Sequence, residues 1–120
     1  MSARFFHYPA CDTCRKARAF LDRNGIAYRP IHIVEAPPSV EELSDLVDRS
    51  GLDIRKFFNT SGESYRKGGF KERLPTLDRA QCLAALASDG KLLKRPILDT
   101  GQAVLVGFRE EDYRRLVGSR

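Results

Sequence analysis

The 120-residue chain lacks several features that mark whole classes of protein. No apolar run is long enough to cross a membrane as a helix. The first four residues lack the apolar stretch and cleavage site of a secretory signal peptide. Three cysteines are too few for a disulfide scaffold. We therefore expect a cytoplasmic protein that does not bind membranes and works in a reducing compartment.

Features of nucleic-acid-binding proteins are also scarce. The chain has no tryptophan, no dense basic run and no helix-turn-helix or zinc-finger spacing. Its net charge of +5 comes from 21 basic and 16 acidic residues. This excess fits a solvated basic surface, or an anionic partner such as an oxyanion, glutathione or an acidic protein surface. We expect no direct contact with nucleic acid.

The order of predicted elements indicates the fold class. Hydrophobic residues make up 42% of the chain, enough for a core, and no repeat or linker divides it. Strands are predicted at residues 4–8, 28–34, 97–98 and 103–106. Helices are predicted after Cys11, after Ser39, after Asp78 and at the end of the chain, with capping boxes at Ser39 and Asp78. Pro30 favours an edge position for the second strand.

This β-α-β, helical block, β-β-α order predicts an α/β fold of the thioredoxin-like type. We expect one domain over residues 1–120, with a four-stranded mixed sheet, flanking helices and an inserted helical subdomain at about 39–88.

The richest motif is the pair Cys11 and Cys14, placed between a predicted strand and a predicted helix. A cysteine at a helix start sees the positive end of the helix dipole, which favours the thiolate. A second cysteine three residues later can form a disulfide with it. Arg15 and Lys16 add positive charge nearby, and Asp12 opposes them. We predict that Cys11 is the exposed nucleophile and Cys14 the more buried resolving thiol.

Two alternatives to redox chemistry remain for this pair: inert thiols in a turn, or a zinc site. Zinc needs two more ligands, and Cys82, His7 and His32 do not lie at ligand spacing, so no metal site is predicted. Cys82 is expected to be a small buried residue in a helix, with a distant resolving role as its alternative. Both histidines are expected to be structural.

Arg95 directly precedes Pro96, and X-Pro bonds are the usual sites of cis peptides. In a thioredoxin-like fold this turn faces the start of the cysteine-bearing helix. We predict a cis bond there and a guanidinium that can hold an oxyanion through its planar fork.

Residues 8–17, 58–66, 89–97 and 106–108, in this order, resemble the arsenate reductase (ArsC)/Spx family and especially its ArsC-like, Spx/MgsR-type members. The resemblance covers nearly the whole chain. It implies a first cysteine that attacks arsenate, with three arginines around the oxyanion, in the glutaredoxin-linked reductases. Cys11 and Arg95 match that cysteine and one arginine, whereas the other two arginine positions fall on Asn59 and Phe108.

Together these observations predict a thiol–disulfide oxidoreductase with weak or no arsenate reductase activity. We expect no bound cofactor, and glutathione, glutaredoxin or thioredoxin as reductant. The resemblance also leaves open a Spx-like redox-sensing regulator that binds the RNA polymerase α subunit, or a glutathione/glutaredoxin-dependent arsenate reductase. The candidate residues are Cys11, Cys14 and Arg95 for catalysis and Arg15, Asn59 and Pro96 for binding.

Overall fold

The computed structural model describes residues 3–118, and the chain divides into two compact units. The described residues up to His32 and from Arg95 onward form the first, which we call the sheet unit. Residues Ile33–Lys94 form the second, the helical unit. The helical unit begins six residues before the predicted insertion and ends six residues after it. The prediction of one domain over 1–120 stays a prediction.

The sheet unit contains a four-stranded mixed sheet in the order β2-β1-β3-β4. β1 pairs with β2 in parallel, and β1–β3 and β3–β4 are antiparallel. Pro30, which cannot donate a ladder hydrogen bond, lies in the edge strand β2, as predicted. The strands are β1 Ala3–His7, β2 Tyr28–His32, β3 Ile97–Asp99 and β4 Val104–Val106.

Two helices share one hydrophobic core with this sheet: α1, Asp12–Arg23, and α6, Glu110–Gly118. The buried residues of α1 recur at helical spacing, which gives it one apolar face. α1 ends at Asn24, followed by Gly25 in the left-handed conformation. The core contains Ala3, Phe5, Ala17, Phe20, Leu21, Leu98 and Tyr113.

Side-chain capping determines where the two longer helices of the helical unit begin. Ser39 caps α2 and Asp78 caps α5, each through a complete capping box with the residue three positions later, as predicted. Arg79 joins the two helices through an ion pair with Asp48, 2.8 Å from Nη2 to Oδ1. The helices are α2 Val40–Ser50, α3 Glu63–Lys67, α4 Phe70–Arg73 and α5 Arg79–Ser88, with 3₁₀ turns at Ile54–Phe57, Leu74–Thr76 and Gly90–Leu92.

All four strands differ from their predicted bounds by one or two residues at an end. β2 ends at His32 rather than at residue 34, and the buried Ile33 belongs to the helical unit. A Cβ at Gly90 would lie 1.9 Å from the Ile33 carbonyl oxygen, so only glycine fits this close approach. The polar segment 64–74 forms two short helices because Gly69, at φ +67°, breaks it.

The sheet unit therefore has the thioredoxin-like arrangement, β-α-β followed by β-β-α around a mixed sheet, and this fold prediction is confirmed. Between residues 3 and 118, no helix is both long and apolar enough to cross a membrane.

Candidate active site

Cys11 lies at the start of α1, directly after a turn that follows β1. The Cys11 N–H donates to the Tyr8 carbonyl at 2.9 Å, which closes the turn. The Cys11 carbonyl accepts from the Arg15 N–H at 3.0 Å, which is the first hydrogen bond of the helix. Cys11 is thus the N-cap residue, with extended backbone angles of φ −85° and ψ 124°. The prediction that the first cysteine begins the helix is confirmed.

The two thiols differ in exposure as the sequence predicts. Cys11 is half-buried, whereas Cys14 is 1% exposed and lies on the apolar face of α1. Both are free thiols. The Tyr8 N–H donates to the Cys14 sulfur at 3.5 Å. The Cys11 sulfur is therefore accessible to a substrate, whereas the Cys14 sulfur is buried.

The surroundings of Cys11 favour its thiolate. Burial opposes ionisation, but the N–H and thiol of Cys14 and the guanidinium of Arg95 outweigh it, so that the pKa of Cys11 is lowered. The Cys11 side chain accepts no regular capping hydrogen bond from the helix. The Cys14 N–H nevertheless lies close enough to stabilise a negative charge on the Cys11 sulfur. Cys11 is the first of the two thiols to ionise.

Cys14 behaves in the opposite way. Burial, together with the hydrogen bond and charge of Cys11, raises the pKa of Cys14 to about 12, although the Tyr8 N–H and Arg95 act against this rise. Cys14 therefore keeps its proton while Cys11 is a thiolate. This is the state in which the proton of Cys14 can bond to the Cys11 sulfur.

Arg95 acts on this pair from the turn before β3. It is half-buried, its guanidinium carbon lies 5.3 Å from the centre of the Tyr8 ring, and it hydrogen-bonds to Cys11. The Arg95–Pro96 peptide is cis, as predicted. Pro96 is buried, and its carbonyl accepts from the Gly107 N–H at 2.8 Å. The structure thus brings Cys11, Cys14, Arg95 and Pro96 into one unit.

Arg15 takes a different position from the one its place in the sequence suggests. Its side chain is 62% exposed and forms an ion pair with Asp12. Neither residue is among the groups that shift the pKa of Cys11, which are Cys14 and Arg95. The charge near Cys11 is thus supplied by a residue distant in sequence, and Arg15 lies on the solvent side of α1.

Asn59 and Phe108 occupy the two positions where the resemblance expects arginines. Asn59 is in the helical unit, where its N–H donates to the Leu92 carbonyl at 2.8 Å. Phe108 contacts the aromatic core of the sheet unit, with ring centroids 4.8 Å from Tyr113 and 6.1 Å from Phe20. Phe108 therefore serves the core and has no group that can bind an anion.

The third cysteine and His7 are both buried. Cys82 is 1% exposed in the helical unit, and burial raises its pKa. His7 is buried, and burial, followed by the charges of Arg18 and His32, lowers its pKa. Within the described part of the chain, no three His, Cys, Asp or Glu residues are grouped to hold a metal ion.

Sequence reasoning missed the contribution of Tyr8. Its N–H contacts Cys14 and its ring contacts Arg95. The sequence did contain a signal for this role. Tyr8 lies between the end of a buried strand and Pro9, just before the helix that begins at the cysteine pair, so its backbone groups lie near that pair.

Comparisons with known proteins show which family the chain matches. The model of the ArsC family matches residues 6–116. The chain is similar to the uncharacterized protein YusI of Bacillus subtilis, 50% identical over 94% of this chain and 96% of that protein. A solved structure of a putative ArsC family related protein from Bacteroides fragilis superimposes with a TM-score of 0.93, at 45% identity over 97% and 98% of the two chains.

Two named activities occur among more distant relatives. An arsenate reductase of Neisseria meningitidis is 31% identical over 87% of this chain and 88% of that protein. The global transcriptional regulator Spx of Listeria innocua is 28% identical over 93% of this chain and 84% of that protein.

Proposed function

The chain belongs to the ArsC family, and we propose that within it this protein is a thiol–disulfide oxidoreductase working through Cys11 and Cys14. One observation carries the proposal: a half-exposed thiol with a lowered pKa lies beside a buried thiol that retains its proton. This is the asymmetry that a nucleophile and a resolving thiol require.

In the first step the Cys11 thiolate attacks one sulfur of a substrate disulfide. A bond forms between the Cys11 sulfur and that sulfur, and the other substrate sulfur leaves as a thiolate with the electron pair. Arg95 supplies a positive charge at the attacking sulfur. Its planar fork is also suited to hold an anionic group of the substrate.

In the second step Cys14 loses its proton and attacks the Cys11 sulfur. The Cys11–Cys14 disulfide forms, the mixed disulfide breaks, and the second substrate sulfur leaves with the electron pair and is protonated. The protein has then given up two electrons. Two thiols of a reductant, glutathione or a glutaredoxin or thioredoxin, restore the dithiol. Such a cycle belongs to a reducing compartment such as the cytoplasm.

Arsenate is a poor fit to this site. Each charge-assisted hydrogen bond to an oxyanion contributes about 1.5–3 kcal/mol. Of the two positions where the resemblance expects arginines, Phe108 has no group that can donate such a bond, and Asn59 has only a neutral amide. We propose that arsenate turnover is weak or absent.

A second candidate function, redox-dependent regulation, is favoured by the similarity to the Listeria regulator along most of the chain. In that case the Cys11–Cys14 disulfide would alter binding to the RNA polymerase α subunit. Co-purification with that subunit that depends on reductant would support regulation, and its absence in both redox states would exclude it.

The test of the main proposal supplies the reduced protein with a small model disulfide, or with arsenate, in the presence of glutathione and glutaredoxin. Disulfide reduction that requires Cys11, with arsenate turnover far below that of an authentic arsenate reductase, supports the proposal. Comparable arsenate rates would identify a true arsenate reductase. Reduction of neither substrate would contradict the oxidoreductase assignment.

A further inference from the structure

Tyr113 of α6 has a hydroxyl that packing does not explain. Its side chain is fully buried, and its oxygen is the one buried side-chain polar atom without a hydrogen-bond partner among the described residues. A buried hydroxyl without a partner loses its hydrogen bonds to water and gains nothing in return. Phenylalanine would fill the same space without this cost, so the hydroxyl calls for a role outside packing.

The position of Tyr113 directs attention to the resolving thiol. Its ring meets that of Phe20 edge-on, at 5.9 Å between centroids, and belongs to the same core as Ala17 of α1. Cys14 precedes Ala17 by three residues and lies on the same buried face of α1. Tyr113 thus packs against the helix face that carries Cys14.

The electrostatics connect the same two groups. Burial, and after it the charge of Cys14, raises the pKa of Tyr113. The ionisable groups that act on Cys14 are Cys11 and Arg95, and the rest of the core around Tyr113 is apolar. Tyr113 therefore stays protonated when Cys14 ionises, and a protonated phenol is a hydrogen-bond donor.

We propose that Tyr113 is a positioning residue for Cys14, whose O–H donates a hydrogen bond to the Cys14 sulfur as that sulfur becomes a thiolate. The inference rests on the proposed function, because it concerns the resolving step. Among the described residues of the dithiol, the Cys14 sulfur accepts only from the Tyr8 N–H, and the Tyr113 hydroxyl has no partner, so its bond to Cys14 forms only when that sulfur ionises. Once Cys11 is in a mixed disulfide, Cys14 must ionise to attack, and its negative sulfur becomes a strong acceptor.

The step balances without a further reactant. The Cys14 electron pair forms the bond to the Cys11 sulfur, and the electron pair of the broken mixed disulfide leaves on the substrate sulfur. The proton lost by Cys14 passes to the departing thiolate, or to water when the leaving thiol is as acidic as nitrothiobenzoate. Tyr113 keeps its own proton throughout, so it lowers the free energy of the ionised thiol without being consumed.

The test is Tyr113→Phe, with Tyr28→Phe as the matched control. Tyr28 also packs against this core, but its hydroxyl bonds to Arg18 and Asp22. One equivalent of dithiobis(nitrobenzoate) is mixed with the reduced protein, and release of the coloured thiolate is followed in time. The first equivalent reports attack by Cys11, and the second reports resolution by Cys14.

We expect Tyr113→Phe to slow the second release about tenfold or more, the size of a lost hydrogen bond to a charged group. Its pH profile should move to higher pH, while the first release and the melting temperature do not fall. Tyr28→Phe should change neither release. An unchanged second release in Tyr113→Phe would overturn the role of Tyr113 and leave the proposed function intact.

Two other outcomes would overturn either the role of Tyr113 or the proposed function. Equal slowing of both releases with a lower melting temperature would mean a structural role and overturn the inference. Absence of a second release from the wild-type protein would overturn the proposed function itself.

Discussion

The two compact units differ in how they distribute charge. Residues 1–32 and 95–120 of the sequence, which include the sheet unit, carry eleven basic and six acidic residues, whereas the helical unit carries ten of each. The whole net charge of +5 therefore comes from the part of the sequence that includes Cys11 and Cys14. An anionic substrate or an acidic reductase is attracted to a positive surface.

The cysteines of the two units show what burial alone does and does not decide. Cys14 and Cys82 are each 1% exposed, and burial raises the pKa of both. Cys14 has a partner sulfur one helical turn away and a donated hydrogen bond from Tyr8. The charged groups acting on Cys82 are instead Asp78, Arg55 and Asp53. Burial disfavours the thiolate of both cysteines, and of the two only Cys14 has a hydrogen bond to a partner thiol, Cys11.

The largest expected effect on turnover is the difference between replacing a cysteine of the sheet unit and replacing the cysteine of the helical unit. Cys11→Ser should reduce disulfide turnover to background because the attacking sulfur is lost. Cys82→Ala should leave turnover within about twofold of wild type, since a buried cysteine acts mainly as a small apolar residue. The measurement is steady-state reduction of a model disulfide by both variants. Loss of activity in Cys82→Ala, with an unchanged melting temperature, would give the helical unit a part in the chemistry.

Labelling as a function of pH sharpens the comparison within the pair. Because its pKa is lowered, Cys11 should reach half of its maximal alkylation rate below the pH at which an ordinary cysteine does, about 8.5. Cys14, with a pKa of about 12, should react slowly at neutral pH and faster only as the pH approaches that value. Iodoacetamide labelling with peptide mass spectrometry measures both. Faster labelling of Cys14 than of Cys11 at pH 7 would reverse the assignment of nucleophile.

Replacement of Arg95 should have a moderate effect. Arg95→Ala removes a hydrogen bond and a positive charge from the Cys11 thiolate. The pKa of Cys11 should rise, and alkylation at pH 7 should slow about three- to tenfold. Arg95→Lys should restore part of this rate but little binding of sulfate or arsenate, because a point charge cannot replace the planar fork. Equal alkylation rates in Arg95→Ala and wild type would remove Arg95 from the site.

The smallest effect is expected at Arg15. Its exposed ion pair with Asp12 lies outside the groups that shift the pKa of Cys11. Arg15→Ala should therefore change the alkylation rate of Cys11 by less than about twofold, in line with the weak coupling of exposed charges. The same labelling assay measures it, with Arg95→Ala beside it for comparison. A larger loss for Arg15→Ala than for Arg95→Ala would restore the role suggested by proximity in sequence.

Local patterns predicted much of this fold. The capping boxes at Ser39 and Asp78 and the edge position of Pro30 follow from short-range chemistry, and the structure confirms them. The cis bond at Pro96 was predicted from the fold class. The predicted end of β2 at residue 34 was wrong, since Ile33 belongs to the helical unit and packs closely against Gly90, far away in the sequence.

The candidate site also has parts that local patterns predict and parts that depend on distant contacts. Spacing placed Cys11 and Cys14 at the helix start, and the structure agrees. Arg15 was predicted to act on them because it is a neighbour in sequence, and only the structure shows its pairing with Asp12. The orphan hydroxyl of Tyr113 was not predicted, because whether it has a hydrogen-bond partner depends on the packing of α6 against α1. Contacts of this kind, between residues far apart in the sequence, cannot be predicted from local patterns.

The central claim is that Cys11 and Cys14 form one redox pair, and disulfide mapping of the oxidised protein tests it most directly. The reduced wild-type protein is treated with a mild oxidant, its remaining thiols are blocked, and its peptides are analysed by mass spectrometry. We predict a dominant intramolecular Cys11–Cys14 disulfide, with Cys82 recovered as a blocked free thiol. A dominant disulfide that includes Cys82, or oxidation that leaves Cys11 and Cys14 unlinked, would contradict the account.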